Sequence, residues 1–299
     1  MKKILVIHTW GMGDIILATP MLKSLALNGY QVDLVLSSKI NLTIIKEAPF
    51  INNVFLVQKK WEYIKFFKQY DCLVATAGTN PKKIKLLNKL IGAKEVFALP
   101  QEKNLHRIGM NLKIVEPLLE KVEREPYIYI SKESEVLSQY LTKEKNIGFA
   151  IGSGTNQKFK RWSLKSFREL ISKIEGNRLI FIGPDELELE EQIEDLEVTV
   201  VKASLEESIK LIAHLDLLVG NDNGLMHIAH ATKTNSVTIF GMTNEKETGG
   251  YRTNSESVFF EMECRPCFNP ATDSVGCKTY DCLRDLSVEE VFKKCLKYL

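Results

Sequence analysis

The sequence predicts an α/β protein built from two doubly wound parallel sheets in series. Three observations predict it. Short apolar runs alternate with stretches of helical periodicity, the alternation halts and restarts near mid-chain, and glycine-bearing turns follow strands in both halves. Such alternation means a parallel sheet covered on both faces.

The chain opens on a buried strand at 4–7, followed by a glycine turn and a helix over 15–28. Further strands are expected at 32–36, 54–57, 72–75 and 96–99, with helices between them. The pattern restarts at 147–151 and continues at 179–182, 198–201, 217–219 and 237–240. Between the halves, 123–145 is charged and contains Pro126, which sets the expected domains at 1–145 and 146–299. The last segment, 287–299, opens with a Ser-x-x-Glu pair, Ser287 and Glu290. It carries apolar residues at Val288, Val291, Phe292, Cys295 and Leu296, the pattern of a closing amphipathic helix.

With 299 residues, 44% of them hydrophobic and 26% charged, the composition is that of a globular protein. No apolar run approaches the roughly 20 residues of a membrane span, and the first residues lack a signal-peptide pattern. The expected location is cytoplasmic. Through Lys145 there are 22 basic against 14 acidic residues, and beyond it 18 against 24, so the halves carry about +8 and −6. Much of the excess sits in Lys82, Lys83, Lys85 and Lys89, with His106 and Arg107 further on. Such a field suits an anionic acceptor or peripheral contact with a lipid surface; a solvated helix face accounts for it equally well. No nucleic-acid motif is present.

Four turns at strand ends carry the candidate chemistry. In Gly11-Met12-Gly13-Asp14 the glycines let a ligand approach the backbone; Asp14 suits either a base or a plain helix cap. A dinucleotide fingerprint needs a third glycine where Ile16 stands, which counts against a nicotinamide-dependent oxidoreductase. Gly152-Ser153-Gly154-Thr155, with Lys160 and Arg161 following, reads as a pyrophosphate cradle or as an ordinary basic loop. Asp222, Gly224 and His227 fall where the strand ending at Val219 turns into a helix, and Gly241-Met242-Thr243-Asn244 follows the next strand. Turns on the carboxyl side of strands in two domains imply an interdomain cleft.

The segments HTWGMGDIILATPMLKSL, GSGTNQKFKRWSLKSF and VGNDNGLMHIAHATKTNSVTIFGMTN, in that order, resemble glycosyltransferase family 9, the bacterial heptosyltransferases of lipopolysaccharide synthesis. The resemblance runs from Met1 to about Asn244. It implies a GT-B fold of two Rossmann-like domains and an inverting transfer of heptose from ADP-heptose, with no cofactor required. By position, Asp14 matches the family's general base. Thr155, Lys160, Asp222, Gly224 and His227 match the donor side and Thr243 falls in a donor-side turn, with Gly13, Ser153 and Arg161 as further expected donor contacts. Lys82, Lys83 and Arg107 are the expected contacts of an anionic glycolipid or glycan acceptor. The chain departs from the family's Gly-Pro-Thr-x-Pro turn, with Met242 and Glu245 at the proline positions. Asp185, Glu186 and Glu188 all compete for the donor-side acid.

Cys264, Cys267, Cys277 and Cys282 are spaced to wrap one structural zinc or iron ion, or to serve as reduced or redox-paired thiols. Family relatives that glycosylate autotransporter proteins carry an iron-binding cysteine finger, which keeps a protein acceptor open beside the lipopolysaccharide core. A non-catalytic nucleotide-binding module is the remaining alternative.

Overall fold

A computed structural model of the chain describes residues 1–299 except Ser131, Glu133, Ser134, Thr155, Asn156, Pro270, Ala271 and Asp273, and the side chains of Pro184 and Asp185. The chain forms two compact units, Met1–Tyr129 and Ile130–Leu299.

In the first unit, β1 (Lys3–His8), α1 (Met12–Leu27), β2 (Gln31–Leu36), α2 (Ile40–Ile45), β3 (Asn53–Leu56), β4 (Cys72–Ala75), α3 (Pro81–Ile91), β5 (Glu95–Phe97) and α4 (Arg107–Val115) follow one another. The described strands pair in parallel in the order β3-β2-β1-β4-β5. α1 packs against α2 and α4 and is buried on nearly every side. Asn111 of α4 accepts from Ala77 N at 2.8 Å and donates to Leu17 O at 3.1 Å, tying α4 to both α1 and the loop after β4. The other face is covered by α3 and a 3₁₀ turn, Lys60–Phe66, whose Tyr63 and Phe66 enter a core with Leu5, Ile7, Leu73 and Ile84.

The second unit runs α5 (Val136–Tyr140), β6 (Asn146–Ala150), α6 (Leu164–Lys173), β7 (Asn177–Phe181), β8 (Thr199–Val201), α7 (Leu205–Ile212), β9 (Leu217–Asn221), α8 (Gly224–Thr232), β10 (Ser236–Ile239), α9 (Glu245–Thr248) and β11 (Ser255–Val258). It ends with β12 (Phe268–Asn269), β13 (Ser274–Val275), α10 (Asp281–Arg284) and α11 (Val288–Cys295). Its main sheet is parallel, in the order β11-β10-β9-β6-β7-β8. α11 begins with the expected capping box: Glu290 N donates to Ser287 Oγ at 3.3 Å and Ser287 N to Glu290 Oε2 at 3.1 Å. Its apolar face lies on α6 and β10.

The two units meet earlier in the chain than the expected division at 145. Glu123 N bonds Ser24 Oγ and Tyr127 N bonds Thr19 Oγ1, both at 2.8 Å, holding the charged stretch to α1. α5 belongs to the second unit, where it packs on α7, and Tyr140 Oη accepts from Lys202 N at 3.1 Å.

Candidate active site

Asp14 does not sit in a loop, because α1 starts at Met12, with Gly11 as N-cap making no side-chain cap. Asp14 occupies the first helical turn beside Gly13, where the exposed N–H groups and the helix dipole favour a carboxylate. The plain cap reading therefore falls away. Next to it lies a residue that the motif reading missed. His8, at the end of β1, is wholly buried, with Nδ1 3.1 Å from Thr76 Oγ1 and Nε2 3.4 Å from Gly11 O. Burial pushes its pKa down from 6.5, opposed by the Asp14 charge. A histidine held between β4 and the Gly11 turn was readable only from its last place in the strand. Arg107 opens α4, is buried, and donates to Gln101 Oε1 at 3.0 Å. It lies against Gly78, where an added Cβ would come 2.6 Å from the guanidinium and 3.3 Å from Trp10. Lys82 and Lys83 are exposed in the first turn of α3.

In the second unit the turns after β6 and β9 are lashed together by side-chain amides. Asn221 Nδ2 donates to Ile151 O at 2.7 Å and its Oδ1 accepts from Trp162 N at 2.9 Å. Asn223 caps α8 by accepting from Leu225 N at 3.0 Å, and donates to Gly152 O at 3.0 Å. These asparagines bring the two predicted donor loops together.

At their centre, Lys160 Nζ stands 3.2 Å from Asp222 Oδ2, with the side chains 13% and 8% exposed. Burial pushes the Asp222 carboxyl up. Lys160, His227 and the nearby Thr243 hydroxyl outweigh it and hold the group below the usual carboxylate range. Gly224 is the first residue of α8 and His227 lies within its first turn. Lys160 also sits over the Phe268 ring, 5.3 Å from its centroid.

A second cluster surrounds Ser153. Arg161 Nε donates to Ser153 Oγ at 3.2 Å, and its guanidinium reaches Glu186 at 3.4 Å and Glu188 at 3.0 Å. Glu186 also accepts from the N–H groups of Ser153 and Gly183. Its carboxylate fills the concavity so closely that a Cβ on Gly152 would meet it at 2.0 Å. Lys158 and Arg161 hold the Glu188 carboxyl down to about 2. Of the two competing acids whose side chains are described, Glu186 is thus the one built into the loop. Thr155 lies outside the described residues, as does the side chain of Asp185. A hollow of about 520 Å³ lined by Thr142, Asn177 and Arg178 opens at the other end of the strands, away from these turns.

The 241–245 turn, which lacks the family's prolines, is held differently. Arg265 donates to Gly241 O, to Thr243 O at 3.4 Å and to Glu245 Oε2 at 3.2 Å, while the N–H groups of Cys267 and Phe268 both reach Met242 O.

The expected zinc or iron at the cysteines is not supported. Among the described residues no three His, Cys, Asp or Glu side chains group so as to hold a metal ion. Cys264 is exposed, and Cys282 turns into the core, where burial pushes its thiol up. Cys277 Sγ accepts from Tyr280 N at 3.3 Å. All six cysteines are free.

Two doubly wound parallel sheets, with glycine-bearing turns at the carboxyl ends of the strands, define a protein of the GT-B fold. Residues 88–277 match the model of glycosyltransferase family 9 (heptosyltransferase), and the chain belongs to that family. It is similar to a lipooligosaccharide heptosyltransferase 2 of Campylobacter jejuni, 26% identical over an alignment of 164 positions that covers 51% of this chain and 49% of that protein. The chain thus spans about half the length of the curated relatives it matches. In fold it resembles the glycosyl transferase family 9 structure from Veillonella parvula, with a TM-score of 0.79, 21% identity and 99% and 97% of the two chains covered. The E. coli ADP-heptose lipopolysaccharide heptosyltransferase II follows, with a TM-score of 0.76, 17% identity and 100% and 98% coverage. Family membership sets aside the oxidoreductase reading.

Proposed function

We propose that this protein transfers a heptose, with inversion, from ADP-heptose to the core of a lipopolysaccharide or lipooligosaccharide. The observation that supports this most is the buried pairing of Lys160 with Asp222 at the head of α8. A lysine at a helix N-terminus and beside a histidine is suited to a diphosphate. The donor's phosphates compete with Asp222 for Lys160, so binding exchanges one anion for another. Ser153, Thr155, Gly224, His227 and Thr243 are assigned to the donor. Gly13 keeps the backbone beside Asp14 open to the reacting sugar. Lys82, Lys83 and Arg107 are assigned to an anionic acceptor.

In the reaction Asp14 takes the proton of the acceptor hydroxyl as its oxygen bonds to the anomeric carbon. The bond from that carbon to the diphosphate oxygen breaks on the opposite face, and the electron pair leaves with the nucleoside diphosphate. Lys160 and Arg161 offset the developing charge, the role a divalent ion plays in other transferases, so no cofactor is required.

The test is nucleoside diphosphate release over a panel of nucleotide sugars, with and without a core oligosaccharide. Release with ADP-heptose and acceptor together supports the reading; release with no donor in the panel ends it. Asp14→Asn is expected to lower kcat by about 100- to 10,000-fold with little change in donor affinity. Turnover at the parental rate would remove Asp14 from the role of base.

A further inference from the structure

In the first unit, the layer of α3 and the 3₁₀ turn buries one side in the core and leaves the other apolar. A 3₁₀ helix has three residues per turn, so Trp61, Ile64 and Phe67, spaced by three, stand in one row. They are 69%, 62% and 50% exposed, while the intervening Tyr63 and Phe66 point into the core. On α3, Ile84 and Ile91 are buried and Leu86 is 63% exposed, with Leu90 beside it one turn on. The two rows adjoin: Lys68 N donates to Ile91 O at 2.7 Å, and a Cβ on Gly92 would lie 3.4 Å from the Phe67 ring.

Lysines rim this apolar strip. Lys59, Lys60, Lys65 and Lys68 flank the first row, and Lys82, Lys83, Lys85 and Lys89 the second, all exposed. The acid on these two elements, Glu62, is turned back to accept from Lys59 N at 2.9 Å. Lys68 lies along the Phe67 ring, 5.3 Å from its centroid, a stem laid on apolar surface with its charge at the edge.

We propose that this strip is the face by which the protein lies on an anionic lipid bilayer. Trp61, Ile64, Phe67, Leu86 and Leu90 enter the boundary between headgroups and acyl chains. The lysines meet the phosphates, as in amphipathic segments that bind membrane surfaces. The charge complementarity is one-sided, since the half of the chain holding the strip carries about +8. The proposal does not depend on the reaction. Lys82 and Lys83 are also assigned to the acceptor, so the test leaves them unchanged.

The full chain is sedimented with vesicles of phosphatidylethanolamine and phosphatidylglycerol, and separately with phosphatidylcholine vesicles. Binding is expected to the anionic vesicles, falling as salt is raised. It should weaken at least about tenfold in the triple variant Trp61→Ser, Ile64→Ser, Phe67→Ser. Should that variant not fold, the double variant Lys85→Glu, Lys89→Glu is expected to give the same loss. No binding to anionic vesicles, or equal binding by parent and folded variants, overturns the proposal. So does a parent that fails to bind vesicles and elutes as a dimer that the triple variant abolishes; the strip would then be an interface between copies of this chain.

Discussion

His8 is a buried titratable group packed against the turn that leads to Asp14, and its pKa lies below 6.5. Between that folded value and 6.5 the unfolded chain binds a proton that the folded chain does not, so stability falls as pH drops through the window. Melting temperatures across about pH 5 to 8 should decline on the acid side, and His8→Gln should flatten that slope. A variant with the parental slope would show that other groups set the acid limit. Lys160 has a different weight. Its pairing with Asp222 is largely out of water, and removing one partner of such a pair strands the other charge. Lys160→Ala should cost about 3 kcal/mol in urea unfolding and weaken nucleotide binding by calorimetry. Equal stability would mean that water replaces the ammonium. Lys160 and Asp222 were each legible as loop residues. Their contact was not, because it depends on Asn221 and Asn223 drawing two distant turns together.

At the level of elements, most strands were legible because each is a short apolar run next to a turn. β11 was not. Its sequence, Ser-Glu-Ser-Val, is an edge strand with one buried residue, so no apolar run announces it. The start of α1 was misplaced for a related reason: glycines at 11 and 13 read as turn, yet Gly13 lies inside the helix. The turn after β10 shows how an element keeps its shape when its usual residues change. The two prolines of the family pattern restrict the backbone from within; here Arg265 restrains it from outside by reaching two of its carbonyls and Glu245. Arg265→Ala should leave those buried acceptors unmet, at a cost of about 2 kcal/mol. It should also raise the KM for the donor, through Thr243, more than it lowers kcat. An unchanged KM would separate the turn from donor binding.

For the whole molecule, the sequence showed two α/β repeats but misjudged where one ends. The charged stretch before β6 has the composition of a linker, and its attachments run through backbone groups to Ser24 and Thr19, which composition does not reveal. The residues after Tyr129 belong with the second unit, where α5 buries Val136 and Tyr140. A segment of residues 130–299 should therefore fold alone and bind nucleoside diphosphate, since the Lys160, Asp222, His227 and Thr243 cluster is complete within it. A segment of residues 146–299 keeps the same cluster but exposes the surface of α7 that α5 covers. Burial of Val136 and Tyr140 is worth roughly 1.5–3 kcal/mol each. At about 2–4 °C per kcal/mol for a unit of this size, the shorter segment should melt at least about 5 °C lower while binding nucleotide with similar affinity. Equal melting temperatures would return the boundary to residue 145. Loss of binding in both segments, with folding intact, would show that the donor needs groups from the first unit.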